Sequence, residues 1–308
     1  MPFNVQRLGP IITPDSSPTI GANINGPALL RAPDWLENAP GKYLLYFAHH
    51  KGQSIRLAYA DQLPGPWKVY EPGTIKLSQT VCMEHIASPD VHVDHENRQI
   101  RMYFHGPVGE LSNQLTFSAV SKDGITFEVL PQKLGPAYFR VFFWQGSYYA
   151  FVRTGTLYRG VRPDEPFTAA HNPFSGLSQK TILRHCAVHI QEHRLLVFYS
   201  NIGDNPESIL CSTIDLRKPW QQWQASKPQR VLRPEMDFEG ANLAPAASRE
   251  GAAREPVNQL RDPAIYEEQG QLYLLYSIAG ERGIALAMLT PKQAPFLVST
   301  LKRLFRTA

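Results

Sequence analysis

Two kinds of position in this sequence collect groups able to move protons or grip charge. Ahead of short apolar segments stand Asn25, Glu84, His85, Asp90, Arg140, His185, His189, Glu239, Arg261 and Asp262. Directly after aromatic-rich segments stand His49, His50, His105, Arg153, Asn201, Asp204, Glu281 and Arg282. Carboxylates and imidazoles gathered in one place are the material of general acid–base catalysis, because burial and neighbouring charge drive their pKa values apart. Histidine needs the least perturbation to act near neutral pH. Arginine adds a planar fork of donors suited to a hydroxyl or a carboxylate. Any one of these residues taken singly reads as a loop side chain facing water; the recurrence of both positions is what asks for an explanation.

The elements that would position them repeat along the chain. An aromatic-rich strand follows a Gly or polar turn five times, as GKYLLYF from Gly41, RQIRMYF from Arg98, GSYYAFV from Gly146, HRLLVFY from His193 and GQLYLLY from Gly270. Successive starts lie 57, 48, 47 and 77 residues apart, and the first three intervals suit a four-stranded propeller blade. The long last interval holds a Pro-, Ala- and Arg-rich stretch, roughly Pro234 to Asn258, which reads as an inserted loop. A short apolar strand precedes each unit, for example PDVHVD at 89–94, and an alternating strand follows it, for example SIRLAYA at 54–60. An edge strand near an aromatic (Trp67, Phe127, Phe167, Trp220) completes four of them. This density of strand and turn signals predicts an all-β fold, a five-bladed β-propeller in which stacked blades bury what no single blade could.

One domain spanning 1–308 is expected, with blades at roughly 25–75, 84–132, 135–170, 184–225 and 258–290, and residues 5–12 available to close the ring. In a propeller the first-strand starts and the loops after the second strands meet at one end of the central channel, a concave place where ligands bind.

Composition narrows the classes. The chain has 308 residues and a net charge of +4, and its basic residues gather only in the tail at Lys302, Arg303 and Arg306, so nucleic acid is not an expected partner. No segment reaches membrane-spanning length, and the N-terminal MPFNVQRLGP lacks the pattern of a secretory leader. Three cysteines (Cys82, Cys186, Cys211) read as buried free thiols of a reducing compartment, which points to the cytoplasm. No spacing matches a dedicated metal site, so no cofactor is expected beyond a calcium or water beside His189 in the channel. Oligomeric state is not encoded in any motif.

Three segments resemble the five-bladed glycosidases of the arabinanase and β-xylosidase group, glycoside hydrolase family 43, with invertases and neoagarobiose hydrolases as more distant relatives. IRLAYADQLPGPW at 55–67 is similar to that family's first-blade ending, SPDVHVDHENRQIRMYF at 88–104 to its second-blade motif, and LRDP at 260–263 has its Arg-Asp-Pro form, here in the last blade. The resemblance implies three carboxylates: a base activating water, an acid protonating the leaving oxygen, and a third tuning the acid. Acid and base then flank the bond at about 6.5–9.5 Å in an inverting enzyme. Asp90 matches the tuning residue, but Asn25 in NINGP stands where the base is expected and Leu134 in LGPAYF where the acid is expected.

Other groups must therefore carry the chemistry if the chain is a glycosidase. The catalytic candidates are Asp90 or Asp262 as base, with Glu239 or a histidine (His85 or His189) as acid. A histidine acid has a parallel in the neoagarobiose-hydrolase relatives. Substrate binding falls to Asn25, His49, His50, His85, His105, Arg140, Arg153, Asn201 and Arg261. Each has a plainer alternative: Asp262 and Arg261 as an ion pair closing the ring, Glu239 as a loop residue, His189 as a core histidine. The function expected first is cleavage of a glycosidic bond in a small, anionic oligosaccharide. A non-catalytic carbohydrate-binding propeller and a uronate lyase or isomerase are the competing readings.

Overall fold

The five aromatic strands carry apolar residues at consecutive positions, whereas a strand with one wet face would alternate. In the computed structural model, which describes residues 3–109, 113–177 and 181–292, each of these strands is covered on both faces. Tyr46 packs toward the second blade with Ile100, Met102 and Phe104, while Leu45 and Phe47 pack toward the fifth with Leu275 and Ile284. The same two-sided division holds for Tyr149 against Ala150, for Val197 against Phe198, and for Met102 against Tyr103. Five apolar clusters thus fill the five gaps between neighbouring sheets, and removing one large ring such as Phe198, which is fully buried, costs about 3–5 kcal/mol.

The sheets are antiparallel and follow one another around the axis. Blade one comprises Asn25–Arg31, Tyr43–Ala48, Arg56–Ala60 and Lys68–Tyr70. Blade two comprises Ala87–Asp94, Gln99–Val108 and Asn113–Ser121, and two short strands, Glu128–Val129 and Gly135–Pro136, share its outer edge. Gly135–Pro136, counted with the third blade on sequence, thus belongs to the second sheet. Blade three is Arg140–Trp144, Ser147–Phe151, Leu157–Gly160 and Thr168–Ala169; blade four is Leu183–Gln191, Arg194–Asn201, Ile209–Asp215 and Gln229–Leu232. In blade four Trp223, rather than Trp220, is the fully buried edge aromatic. Blade five is Arg261–Glu268, Gln271–Ser277 and Ile284–Pro291, and its fourth strand is the N-terminal Phe3–Ile12, paired antiparallel with Ile284–Pro291. The first and last parts of the chain therefore share one sheet, which closes the ring and covers an edge that would otherwise be open.

The first strands line the axis. Arg140 ties three of them together there: its guanidinium donates to the carbonyls of Ser88 (3.3 Å), Phe139 (3.0 Å) and Cys186 (3.0 Å). The three cysteines are buried and unpaired. No helix among the described residues is long and apolar enough to cross a membrane. The basic positions Lys302, Arg303 and Arg306 lie outside the described residues.

Candidate functional site at the channel mouth

A shared backbone device aims residues at the mouth. In four of the five first strands the pairing slips by one residue near the mouth end, between Asn25 and Ala28, Ala87 and Asp90, Leu183 and Cys186, and Arg261 and Ala264. Such a bulge adds a residue on one strand and re-aims its side chains. Ser88 (φ 53°), Tyr138 (φ 72°) and Asp262 (φ 47°) adopt the left-handed region here, at a cost of about 1–3 kcal/mol each, and blade one uses Gly26 (φ 60°). Inside a strand or just before one, unlike in a hairpin turn, such a conformation is held only by its surroundings, and these three residues all stand at the mouth end.

Two cavities are stacked along the axis. The upper, inner pocket is lined from every blade by Asn25, His50, His85, Ser88, His105, Tyr138, Arg153, Arg184, His185, Asp262 and Glu281, among others. The centres of water-sized groups can range over about 60 Å³ of it. The lower cavity, about 220 Å³, is lined by residues about two positions deeper on the same strands, including Ala28, Asp90, Arg140, Ala187 and Ala264. Toward solvent, the inner pocket shares His50, Lys51, Glu250 and Gly251 with an outer cleft of about 810 Å³.

At the floor of the inner pocket Asp262 Oδ1 forms a close ion pair with His185 Nδ1, and Ser277 donates to Oδ2 at 3.3 Å. Burial opposes the Asp262 charge, but His185, Arg184 and Arg261 outweigh it and hold the carboxyl below the usual aspartate range. The Tyr138 ring lies between two imidazoles, 4.4 Å from His185 and 4.1 Å from His105. Burial, reinforced by the positive character of His185, His85, Arg140 and His50, drives the His105 pKa well below its ordinary value, so this ring is neutral at pH 7. The His85 pKa is lowered as well, chiefly by burial. Nδ1 of both His85 and His105 is buried without a hydrogen-bond partner among the described residues. Two imidazoles with lowered pKa values thus line the pocket.

A chain of buried charges forms the wall. Arg184 donates to both oxygens of Glu207 (2.7 and 3.0 Å), and Ser200 donates to the same carboxylate at 2.7 Å. Burial works against the Arg184 charge, but Glu207 outweighs it and raises the pKa. Arg261 lies 3.3 Å from Glu207 Oε2 and donates to Glu281 Oε1 at 3.0 Å. Glu281 Oε2 accepts from Asn23 (2.7 Å) and Asn25 (3.3 Å), with His50 Nδ1 at 3.8 Å. Asn25, where a base was expected, therefore serves as a donor to a carboxylate supplied by blade five.

The inserted loop lies across this wall. Gly251 O accepts from Arg184 (3.3 Å) and Arg261 (3.1 Å), Arg249 O accepts from Arg184 (2.6 Å), and Glu250 pairs with Arg153 at the rim.

Of the residues expected on sequence grounds, Asn25, His50, His85, His105, Arg153 and Asp262 line the inner pocket together. The rest stand elsewhere. His49 lines the outer cleft. Asn201 lies behind the pocket, its Oδ1 accepting from Ile182 N and its amide donating to Asp204. Arg261 is buried behind Glu281 and does not line the pocket. Asp90 and Arg140 belong to the lower cavity, where Asp90 Oδ2 is 2.9 Å from His92 Nε2 and accepts from Val141 N at 2.9 Å. His189 is deeper still, its Nε2 3.6 Å from Glu267. Among the described residues no group of three or more His, Cys, Asp and Glu suited to a metal is found.

Glu239 is corrected outright as a mouth residue. It is fully buried between the N-terminal strand and blade five, accepting from Arg7 (2.8 Å), Tyr276 (2.9 Å) and the backbone amides of Glu235 and Met236. Leu134 is equally remote from acid chemistry, being a core residue beside Tyr103, Phe139 and Phe167.

Glu281 and His185 stood at the right repeat positions but had no motif to raise them above their neighbours. Tyr138, Arg184 and Glu207 carried no signal at all. The recurring place just before each first strand would have pointed to Tyr138 and Arg184, had the bulges been legible.

No family model matches the chain. Among solved structures, one described only as a glycoside hydrolase superposes with a TM-score of 0.68 at 12% identity, covering 95% of this chain and 93% of that one. A family-43 β-xylosidase/α-arabinofuranosidase from a compost microbial metagenome, in complex with xylotriose, superposes at 0.63 with 13% identity, over 94% and 95%. The Xanthomonas citri family-43 enzyme complexed with xylose gives 0.62 with 13% identity, over 94% and 92%. At these identities the likeness establishes the fold alone, a five-bladed β-propeller. In sequence the chain is 38% identical over 297 residues to uncharacterized protein R118 of Acanthamoeba polyphaga mimivirus, covering 87% of this chain and 83% of that protein, and it belongs to the same family.

Proposed function

We propose that this protein is a glycosidase that admits the terminal unit of a small, anionic oligosaccharide to the inner pocket and hydrolyses its glycosidic bond. The observation that carries the reading is the pair of buried carboxylates, Asp262 and Glu281, lining one pocket with imidazoles around them. In this scheme His185, held through Nδ1 by Asp262, protonates the leaving oxygen. Glu281, oriented by Arg261, Asn23 and Asn25, takes a proton from the attacking water. The water oxygen ends on the sugar, the leaving group departs as an alcohol, and both protons re-equilibrate through the open mouth. This departs from Asp262 acting directly on water, because Asp262 Oδ1 is paired with the imidazole that serves as acid. His85 and His105, which line the same pocket, are assigned to sugar hydroxyls. The buried free thiols support a cytoplasmic setting, where imported short oligosaccharides are the available substrates. One observation favours a uronate lyase as the second reading: Tyr138 sandwiched between His105 and His185 resembles a proton-abstracting group.

Turnover on a panel of neutral and acidic oligosaccharides tests the proposal. New reducing ends are expected, with kcat falling about 10²–10⁴-fold in each of His185→Gln, Asp262→Asn and Glu281→Gln. Unsaturated, ultraviolet-absorbing products would transfer the site to the lyase reading. Thermal stabilisation by sugars without any product would leave a binding propeller.

A further inference from the structure

We propose that the outer cleft recognises an anionic group carried on the leaving side of the saccharide, through Lys51 and Arg254 with Arg282 behind them. The inference rests on the glycosidase reading for its orientation. The inner pocket adjoins the outer cleft, with which it shares His50, Lys51, Glu250 and Gly251, so a saccharide whose terminus is held in the inner pocket extends its next unit past His50 into the cleft.

That cleft is electrically one-sided. Its lining carries three full cations, Lys51, Arg254 and Arg282, against the single carboxylate Glu250, which is already paired with Arg153. The Lys51 ammonium and the Arg254 guanidinium have no hydrogen-bond or ion-pair partner among the described residues. Arg282 spends its terminal nitrogens on the Ala22 and Arg254 carbonyls and on Glu255, while its buried Nε has no partner. Arg140 and Arg261, the arginines first expected to meet an acidic substrate, are consumed by Ser88, Phe139 and Cys186 and by Gln259, Glu207 and Glu281. Of the lysines and arginines lining the inner pocket and the cleft, Lys51 and Arg254 thus keep their charge unspent among the described residues. A carboxylate, sulfate or phosphate on the second unit would meet it there and gain charge-assisted hydrogen bonds.

Thermal unfolding with sulfate, phosphate, glucuronate or glucose at matched ionic strength tests binding without turnover. The three anions are expected to raise the melting temperature of the unsubstituted protein. The double variant Lys51→Met/Arg254→Met should lose that response and keep its response to glucose. The order of the three anions distinguishes tetrahedral from carboxylate groups. On disaccharides charged in the leaving unit, the double variant should raise KM about tenfold for each cation removed with kcat little changed, and leave neutral disaccharides unaffected. Anions no more stabilising than chloride, or a double variant that responds as the unsubstituted chain does, would overturn the inference. Anion binding lost in the double variant with no hydrolysis of any glycoside would sustain it and instead overturn the glycosidase reading.

Discussion

Glu207 lines neither the inner pocket nor the outer cleft, yet the geometry makes it the residue on which the site wall depends. It is fully buried, bidentate to Arg184, 3.3 Å from Arg261 and bonded to Ser200. Glu207→Gln keeps the volume and removes the charge, leaving two buried guanidiniums facing an amide. Breaking a buried ion pair from one side costs about 3–5 kcal/mol, a large share of the roughly 5–15 kcal/mol that holds a folded protein together. At about 2–4 °C per kcal/mol the melting temperature should fall by roughly 6–20 °C. The damage should also spread, because Arg184 and Arg261 hold Gly251 of the inserted loop and Arg261 holds Glu281. Urea unfolding gives the stability change, and limited proteolysis around 249–251 should become faster. Adding Arg184→Met to Glu207→Gln removes the orphaned charge and should recover part of the loss, a coupling of about 0.5–3 kcal/mol. A single-variant cost below about 1 kcal/mol, or strictly additive costs in the double variant, would refute the buried-network account.

Three further outcomes follow from the same coordinates. Glu239→Gln should lower stability by loosening Arg7 and Tyr276 while kcat stays within about twofold; a collapse of kcat in a stably folded variant would return Glu239 to the chemistry. Arg140→Met should cost about 3 kcal/mol in urea unfolding, because it removes the staple between blades two, three and four, and a neutral result would mean those carbonyl contacts contribute little. The folded-state pKa of His105 lies below that of the unfolded chain, so its contribution is complete above about pH 6.5 and is lost as pH falls, by up to about 1.4 kcal/mol per pH unit. Unfolding curves at pH 7.5 and pH 5.5 should show that loss, and His105→Gln should flatten it; an unchanged slope in the variant would place the proton elsewhere.

The radial architecture was legible in the residues because its signal is local. GKYLLYF and its four counterparts are apolar at consecutive positions, which a strand buried on both faces requires, and five copies require five stacked sheets. The convergence of His50, His85, His105, Arg153 and Asp262 followed from the same repetition, since equivalent places in equivalent blades meet at one end of the axis.

Depth along that axis was not legible. Asp90 and Asp262 occupy similar Pro-flanked motifs, SPDV and LRDP, yet Asp262 precedes its proline and sits in the bulge while Asp90 follows its proline. One residue position on either side of the bulge sends one carboxylate to the inner pocket and the other to the channel below. Glu239 shows the second limit. It lies in a long insertion whose path over the fold no repeat describes, and its partners Arg7 and Tyr276 come from opposite ends of the chain. Apolar periodicity is written residue by residue and so survives in one dimension. Which charges become neighbours, and which remain unspent, depends on through-space distances between segments hundreds of residues apart, and only the closed ring sets those.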